Sequence, residues 1–160
     1  MVNAQEWLDK NYSKARKNTT LILDIKSKNL EGSLNLEGFT NLEKLDCQNN
    51  QLTSLDVSNC LRIIKILCSN NRLTNTGFLE QLKYPEKLTI LSISSSILLK
   101  KDLNFFKPFI NLEKFYLNGA DDDCKEIREE LKNCLKVKKG KQYYDLQVWR
   151  KGKDATSSSA

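Results

Sequence analysis

The sequence predicts an α/β fold, a solenoid of about five repeats with a curved parallel β-sheet and capping helices at its N-terminal and C-terminal ends. A short leucine-type pattern recurs along most of the chain, and the stretches on either side of it have helical spacing. The 160 residues suffice for one domain. We divide them into an N-terminal capping helix (1–19), repeats (20–120), a C-terminal capping helix with a fold-back segment (121–150) and a disordered tail (151–160).

The repeated unit is clearest at residues 45–60, LDCQNNQLTSLDVSNC. It fits the pattern L-x-x-L-x-L-x-x-N-x-L, in which Leu45 and Cys47 are the inward side chains of a strand. Equivalent first inward residues recur at steps of 21 to 25 residues, at Leu23, Leu45, Ile66, Leu91 and Phe115. The second inward residues are Ile25, Cys47, Cys68, Ile93 and Leu117. This alternation predicts five short strands that share one buried face, because a single unit cannot cover its own apolar side chains.

Asparagine at the turn of two units predicts side-chain hydrogen bonds to the backbone. Asn50 and Asn71 follow their strands at the same offset, where the turning chain leaves backbone groups unpaired. Lys28, Ser96 and Ala120 occupy the equivalent positions of the other units. We therefore expect looser or rebuilt turns there.

Both ends of the repeat region carry helical patterns. Residues 3–17 contain no Pro or Gly and place Trp7, Leu8 and Tyr12 on one helical face. The C-terminal helix begins with three aspartates, which favour a helix N-terminus, and sets apolar residues at helical spacing, Cys124, Ile127, Leu131, Cys134 and Leu135. The following YYDLQVWRKG is apolar enough to fold back onto this helix, whereas KDATSSSA is polar.

The repeated segments LEKLDCQNNQLTSLDVSNC and IKILCSNNRLT resemble the leucine-rich repeat family. In particular, WLDKNY, YPEKLTILSIS and DLNFFKPFINLEKF are similar to segments of the leucine-rich repeat proteins expanded in symbiotic (mycorrhizal) soil fungi. The resemblance spans most of residues 5–150. It implies protein–protein interaction, alone or beside a kinase-like domain, and carries no catalytic residue over.

Composition argues against an enzyme, a metal site and a cofactor. The chain has no histidine, no Cys-x-x-Cys pair and no Gly-rich phosphate loop, so histidine-based triads are excluded. We interpret the five cysteines as reduced core thiols, with Cys47 and Cys68 as neighbours on adjacent strands. With no secretory leader pattern and no apolar run of about 18 residues, we expect a cytoplasmic protein without a membrane span.

The residues that alternate with the inward side chains are the candidate binding site for a protein partner. On a curved sheet they face the concave side. The candidates are Lys44, Asp46, Gln48, Lys65, Leu67, Ser69, Ile90, Ser92, Lys114, Tyr116 and Asn118. Leu67, Ile90 and Tyr116 are expected to be exposed apolar anchors among charged residues that set orientation. Ordinary sheet-surface residues explain the same pattern about equally well.

Two other functions remain open. The net charge of +6 is concentrated in LKVKKGKQYY and WRKGK, where lysines alternate with Tyr143, Tyr144 and Trp149 and suggest nucleic-acid or anionic-surface binding. A solvated helix end explains these residues more simply, so we regard nucleic acid as the weaker partner. The remaining alternative is a structural scaffold beside a signalling domain. The sequence leaves the partner's identity and the oligomeric state open.

Overall fold

The computed structural model describes residues 1–99, 101–134 and 145–149. Short strands, connected by coil, 3₁₀ turns and four helices, make up this part of the chain. In chain order the elements are β1 (Val2–Asn3), α1 (Ala4–Asn11), α2 (Lys14–Thr19), β2 (Ile22–Asp24), β3 (Leu30–Asn35), β4 (Lys44–Asp46), β5 (Gln51–Asp56), β6 (Lys65–Leu67), α3 (Gly77–Glu80), β7 (Ile90–Ser94), β8 (Lys114–Asn118), α4 (Asp121–Cys134) and β9 (Asp145–Trp149).

The strands form two parallel sheets, and the protein is an α/β fold. The larger sheet has six strands in the order β2-β4-β6-β7-β8-β9, which is their order along the chain. The smaller sheet has three strands in the order β1-β3-β5. Leu23 pairs with Leu45, Leu45 with Ile66, Ile66 with Leu91, and Leu91 with Phe115. The predicted first inward residues therefore stand side by side in five consecutive strands.

The inward residues of the larger sheet form the core. All ten predicted inward side chains, five in each row, are buried, and none exceeds 2% exposure. Leu30, Leu34, Leu52 and Leu55 of the smaller sheet are also buried. The prediction of a common apolar face is confirmed, because each strand contributes alternate side chains to the same interior.

Asn50 and Asn71 bond the coils to each other as predicted. The Asn50 amide donates to the carbonyl oxygens of Ile25 at 2.9 Å and Cys47 at 3.0 Å. Its Oδ1 accepts from the backbone N–H groups of Lys28 at 3.1 Å and Leu30 at 3.0 Å. One buried side chain thus satisfies polar backbone groups of two successive coils.

Asn71 repeats the arrangement one coil further on. Its amide donates to the carbonyl oxygens of Cys47 at 2.9 Å and Cys68 at 3.0 Å, and its Oδ1 accepts from the Leu52 N–H at 3.0 Å. Asn50 and Asn71 therefore make equivalent hydrogen bonds after two neighbouring strands of the larger sheet.

Two of the three turns that lack asparagine are rebuilt, as predicted, whereas the turn at Lys28 keeps the positive φ of the asparagine turns, with Ser27 at 53°. After β7 the chain forms a 3₁₀ turn over Ser95–Ile97, and after β8 it enters α4 within three residues. Gly119 is required between β8 and α4, since a Cβ there would lie 1.7 Å from the Ser95 Oγ. The turns after β7 and β8 therefore approach each other closely at Ser95 and Gly119.

The N-terminal segment forms two short helices instead of the single capping helix expected. α1 buries Ala4 and Leu8 and contacts β3. The helix ends before Tyr12, whose backbone is extended, and the Ser13 hydroxyl accepts from the Arg16 N–H to begin α2. An N-cap residue in the middle of the segment explains the break, because Ser bonds the first turn of a new helix.

At the C-terminal end, α4 buries Cys124, Ile127 and Leu131, in agreement with the predicted helix. The fold-back segment adds a sixth strand, because β9 pairs with β8 in parallel, and it also contacts α4. The predicted apolar position Leu135, the lysine-rich segment and the tail lie outside the described residues. None of the helices in the described ranges has the length and apolar character needed to cross a bilayer.

Candidate partner-binding face

The candidate residues lie on the outer face of the six-stranded sheet, which we define as the face opposite the buried inward residues. They form three rows across the sheet, and the first two rows follow the strand register. The first row, which we call the lysine row, is Ile22, Lys44, Lys65, Ile90 and Lys114. The second row is Asp24, Asp46, Leu67, Ser92 and Tyr116. The third row is Lys26, Gln48, Ser69, Ser94 and Asn118.

Exposure divides the outer face into an open part and a closed part. Ile22 is 61% exposed, and the side chains of Asp24, Lys26 and Lys44 are exposed as well. The remaining members of the lysine row are partly exposed, as are Asp46, Gln48 and Asn118. In contrast, Leu67, Ser69, Ser92 and Tyr116 are buried. The accessible part of the face is thus the lysine row together with the ends of the first two strands.

Leu67 and Tyr116 are not the exposed anchors that the sequence led us to expect. Leu67 is 8% exposed and Tyr116 is 6% exposed, although both alternate with core residues. Each lies in the second row, where side chains of adjacent strands stand about 4.8 Å apart and flank one another. From the sequence we expected this face to be open to solvent. Packing against side chains of the neighbouring strands instead covers Leu67 and Tyr116.

A hydrogen-bonded group of hydroxyls closes the middle of the outer face. The Gln48 amide donates to the Ser69 hydroxyl at 2.6 Å and lies 3.4 Å from the Ser92 hydroxyl. Ser92 also donates to Ser69 at 3.1 Å. This Gln48–Ser69–Ser92 cluster joins the coil after β4, the coil after β6 and strand β7. These polar groups are therefore already paired within the protein.

Asparagines extend the same kind of bonding beyond the strand ends. The Asn70 side chain donates to the Asn49 Oδ1 at 2.8 Å and accepts from the Asn118 amide. The Asn70 backbone N–H donates to the Ser94 hydroxyl at 3.1 Å. Asn49 and Asn70 both adopt a positive φ of 55°, a backbone conformation that Asn tolerates better than most residues.

The charged part of the face combines both signs. The Lys26 ammonium lies 4.0 Å from the Asp46 carboxylate. Burial raises the pKa of Asp46, while the Gln48 N–H bonded to it and the nearby lysines act in the opposite direction. Burial also lowers the pKa of Lys65, as do the like charges of Lys44 and Lys114, whereas Asp46 opposes this shift. Positive charge on this face is therefore crowded and only partly balanced.

Cys47, Cys60 and Cys68 are held in their neutral, unreactive thiol form. Burial raises the pKa of Cys47 and Cys68 well above the usual value of 9.0, and raises that of Cys60 to about 12. The Cys47 and Cys68 thiols donate to the carbonyl oxygens of Leu67 and Ser92, each at 3.5 Å. Only the thiolate is a good nucleophile, and the raised pKa keeps these thiols protonated. They therefore behave as small core residues.

No group of three metal-binding side chains occurs within the described ranges, and the whole chain contains no histidine.

Sequence reasoning missed one concavity, an open groove of about 780 Å³ between the N-terminal helices and the smaller sheet. Its lining includes Gln5, Asp9, Tyr12, Lys17 and Asn35. The Lys17 ammonium bonds the Asp9 carboxylate at 2.6 Å, and the Gln5 side chain accepts from the Asn35 N–H at 2.9 Å, so these four residues are paired across the groove.

Of the aromatic residues that alternate with lysines near the C-terminus, the structure describes only the backbone position of Trp149. Trp149 stands beside Asn118 in the backbone register of β8 and β9. Tyr143, Tyr144 and the lysines around them lie outside the described residues.

No protein-family model matches the chain, and a search of curated proteins finds none that matches it.

Proposed function

We propose that this chain is a leucine-rich repeat solenoid without catalytic activity, and that it recognises a protein partner on the outer face of its six-stranded sheet. The regular register of five strands and the asparagine bonds between coils support a repeat architecture. In such an architecture the outer face is the concave surface. The resemblance of the repeated segments to leucine-rich repeat proteins supports the same proposal.

The open lysine row is the observation that carries the function. The row combines charged and apolar side chains in register, with Lys44 exposed and Lys65, Ile90 and Lys114 partly exposed. Apolar contact with a charged surround is typical of protein interfaces. The sheet beneath is fixed by a buried core, so association requires little ordering of the backbone.

An intracellular setting belongs to the same proposal. Cys47, Cys60, Cys68 and Cys124 are all buried and unbridged. Free buried thiols are typical of proteins in reducing compartments. We place the recognition event in the cytoplasm for this reason.

Affinity capture with two charge-matched variants tests the function. In the first, Lys44→Glu is combined with Lys114→Glu on the lysine row. In the control, Lys10→Glu is combined with Lys107→Glu, two exposed lysines outside the sheet. We expect the control to recover the same partners as the wild type and the first variant to lose them, at equal thermal stability. Recovery of the same partners by both variants would overturn the proposal.

A further inference from the structure

The first strand of the larger sheet has an uncovered edge. Among the described strands, only β4 pairs with β2, and α1 packs against β1 and β3 of the smaller sheet. Ile22 is 61% exposed, and Leu21, just before the strand, is 49% exposed. Edge strands are usually protected by proline, bulges, charges or a covering element. An apolar edge without such cover is therefore a site for pairing with another strand.

The backbone groups of Ile22 and Asp24 point toward this edge. The N–H of Ile25 and the carbonyl oxygen of Leu21 both bond to the β4 side, at 2.8 Å and 3.1 Å. Because the direction of these groups alternates along a strand, the groups of Leu23 face β4 as well. The N–H and C=O groups of Ile22 and Asp24 therefore face away from the sheet.

The next outward donors on either side are already used within the chain. The Lys26 N–H donates to the Asp24 carboxylate at 3.2 Å, and the Thr20 N–H donates to the Lys17 carbonyl oxygen at 3.3 Å. The donors that this edge offers to another strand are therefore the N–H groups of Ile22 and Asp24, each next to its own carbonyl oxygen.

We propose that β2 is a dimerisation edge, which pairs with β2 of a second copy of this chain in antiparallel orientation about a two-fold axis at Leu23. Ile22 of each copy then lies opposite Asp24 of the other. Each of these two pairs exchanges two backbone hydrogen bonds, so every outward group of both residues is used. An axis perpendicular to the sheet joins the two larger sheets into one and leaves both outer faces on the same side.

The side chains near the edge complement each other in this register. Across the joined edge, one row of the outer face consists of Lys44 and Ile22 from one copy, followed by Asp24 and Asp46 from the other. The backbones at Lys44 and at Asp24 of the second copy lie about 10 Å apart, a distance that a long lysine side chain can cross over Ile22. The two-fold axis repeats the row in reverse, so each copy supplies a cation to the carboxylates of the other.

The two neighbouring antiparallel registers fit less well. Centred on Ile22, the pair would set Asp24 opposite Thr20, whose N–H is already bonded within its own chain. Centred on Asp24, it would set the two Asp24 carboxylates directly opposite each other, which is destabilising. In the register centred on Leu23 these carboxylates are only diagonal neighbours, about 7–8 Å apart at the backbone.

Sedimentation velocity of the full chain, from low micromolar to submillimolar concentration, tests the inference with two matched variants. We expect a reversible monomer–dimer equilibrium for the wild type. Ile22→Glu sets a carboxylate opposite Asp24 of the second copy and should raise the dissociation constant of the dimer at least about tenfold. Ile110→Glu changes an exposed isoleucine outside the sheet and should leave it unchanged. A monomer at every concentration, or equal effects of the two variants, would overturn the proposal.

Ile22→Pro tests the backbone bonds separately. Proline at this position removes an N–H that faces away from β4, so the bonds within the sheet are retained. Two of the four bonds between the copies are lost, and the dissociation constant should rise about tenfold or more. A circular dichroism melt shows whether this variant is folded, and Ile22→Glu supplies the test if it is not. Dimerisation of a folded Ile22→Pro as tight as that of the wild type would overturn pairing through β2.

Disulfide trapping tests the register. A mixture of Ile22→Cys and Asp24→Cys chains should form a cross-linked dimer under mild oxidation, because directly opposite Cα atoms lie about 5.5 Å apart. Ile22→Cys alone should cross-link less, since its two copies are diagonal neighbours. A mixture of Ile22→Cys and Thr53→Cys chains is the control and should not cross-link. Stronger cross-linking of Ile22→Cys with itself than with Asp24→Cys would overturn the register centred on Leu23.

Discussion

The inner and outer faces of the six-stranded sheet are built from the same strands but follow different rules. On the inner face, every residue of both rows is apolar or a thiol, and all are buried. On the outer face, the lysine row carries charges and two isoleucines. The neighbouring rows contain two carboxylates, three hydroxyls and two amides, together with Lys26, Leu67 and Tyr116. Residues one position apart in a strand thus belong to different surfaces.

The difference separates stability from the recognition that we propose. Inner-face residues are constrained because each must fill space between two neighbouring coils. Outer-face residues are constrained only by their lateral neighbours, and in the lysine row those neighbours leave the side chains partly open to solvent. We therefore expect inner-face substitutions to change the free energy of unfolding and lysine-row substitutions to change binding.

Leu91 and Ile90 give the sharpest test of this difference, since they are consecutive residues of β7 on opposite faces. Leu91 is fully buried, so Leu91→Ala should lower the free energy of unfolding by about 3 kcal/mol through lost burial and the resulting cavity. Ile90 is partly exposed, and Ile90→Ala should cost less than about 1 kcal/mol. Urea denaturation measures both, and equal losses would contradict the assignment of faces.

The inner-face thiols should make stability depend on alkaline pH. Burial raises the pKa of Cys47 and Cys68 above the value of 9.0 that an unfolded thiol has. As pH rises from 9 to 10, the unfolded chain loses these protons while the folded chain retains them. Each thiol should then lower the free energy of unfolding by about 1 kcal/mol over that interval.

A double variant isolates this contribution from other groups that titrate at high pH. Cys47→Ala with Cys68→Ala should remove about 2 kcal/mol from the decrease in stability between pH 9 and pH 10. Chemical denaturation at the two pH values gives the decrease for each protein. If the free energy of unfolding fell by the same amount between pH 9 and pH 10 in the double variant and in the wild type, the two thiols would have to ionise in the folded state.

On the outer face, Gln48 should have a moderate effect because it bonds within the closed part. Gln48→Ala removes the amide that donates to Ser69 at 2.6 Å, and should cost about 1 kcal/mol. The matched control is Gln51→Ala on β5, whose amide donates to the Asn29 side chain at 3.1 Å on an exposed surface. We expect the control to change the midpoint of thermal unfolding less than Gln48→Ala does, and the reverse order would contradict the closed hydroxyl cluster.

Asp46 should give the smallest effect. Burial raises the pKa of its carboxyl group, so its charge opposes folding at neutral pH. Asp46→Asn should raise the free energy of unfolding at pH 7 by less than about 0.5 kcal/mol. As pH falls toward 3.8, the folded wild type gains its proton before the unfolded chain does, so the advantage of the variant should shrink.

Asp24→Asn is the control for this charge change, because Asp24 pairs with Asp46 in the register but is exposed. The neutral amide removes the same charge at a solvated position. We expect no gain in stability at pH 7 from this variant. If both substitutions raised the free energy of unfolding equally, the effect at Asp46 would come from the change in net charge and not from burial of its carboxyl group.

The inner face and the asparagine bonds were predictable from sequence because each recurs. A residue such as Leu45 or Asn50 occupies a position that another repeat fills in the same way, so periodicity alone identifies it. Leu67 and Tyr116 were not placed correctly, since their burial depends on side chains from adjacent strands that are distant in sequence. The break at Ser13 depends on a single N-cap bond that helical periodicity does not register.

Site-specific photo-cross-linking tests the recognition surface most directly. A benzophenone side chain is introduced either at position 44, on the outer face of the larger sheet, or at position 53, an exposed position of β5 in the smaller sheet. The account predicts that a partner is cross-linked from position 44 and not from position 53. Cross-linking of the same partner from position 53 but not from position 44 would contradict it.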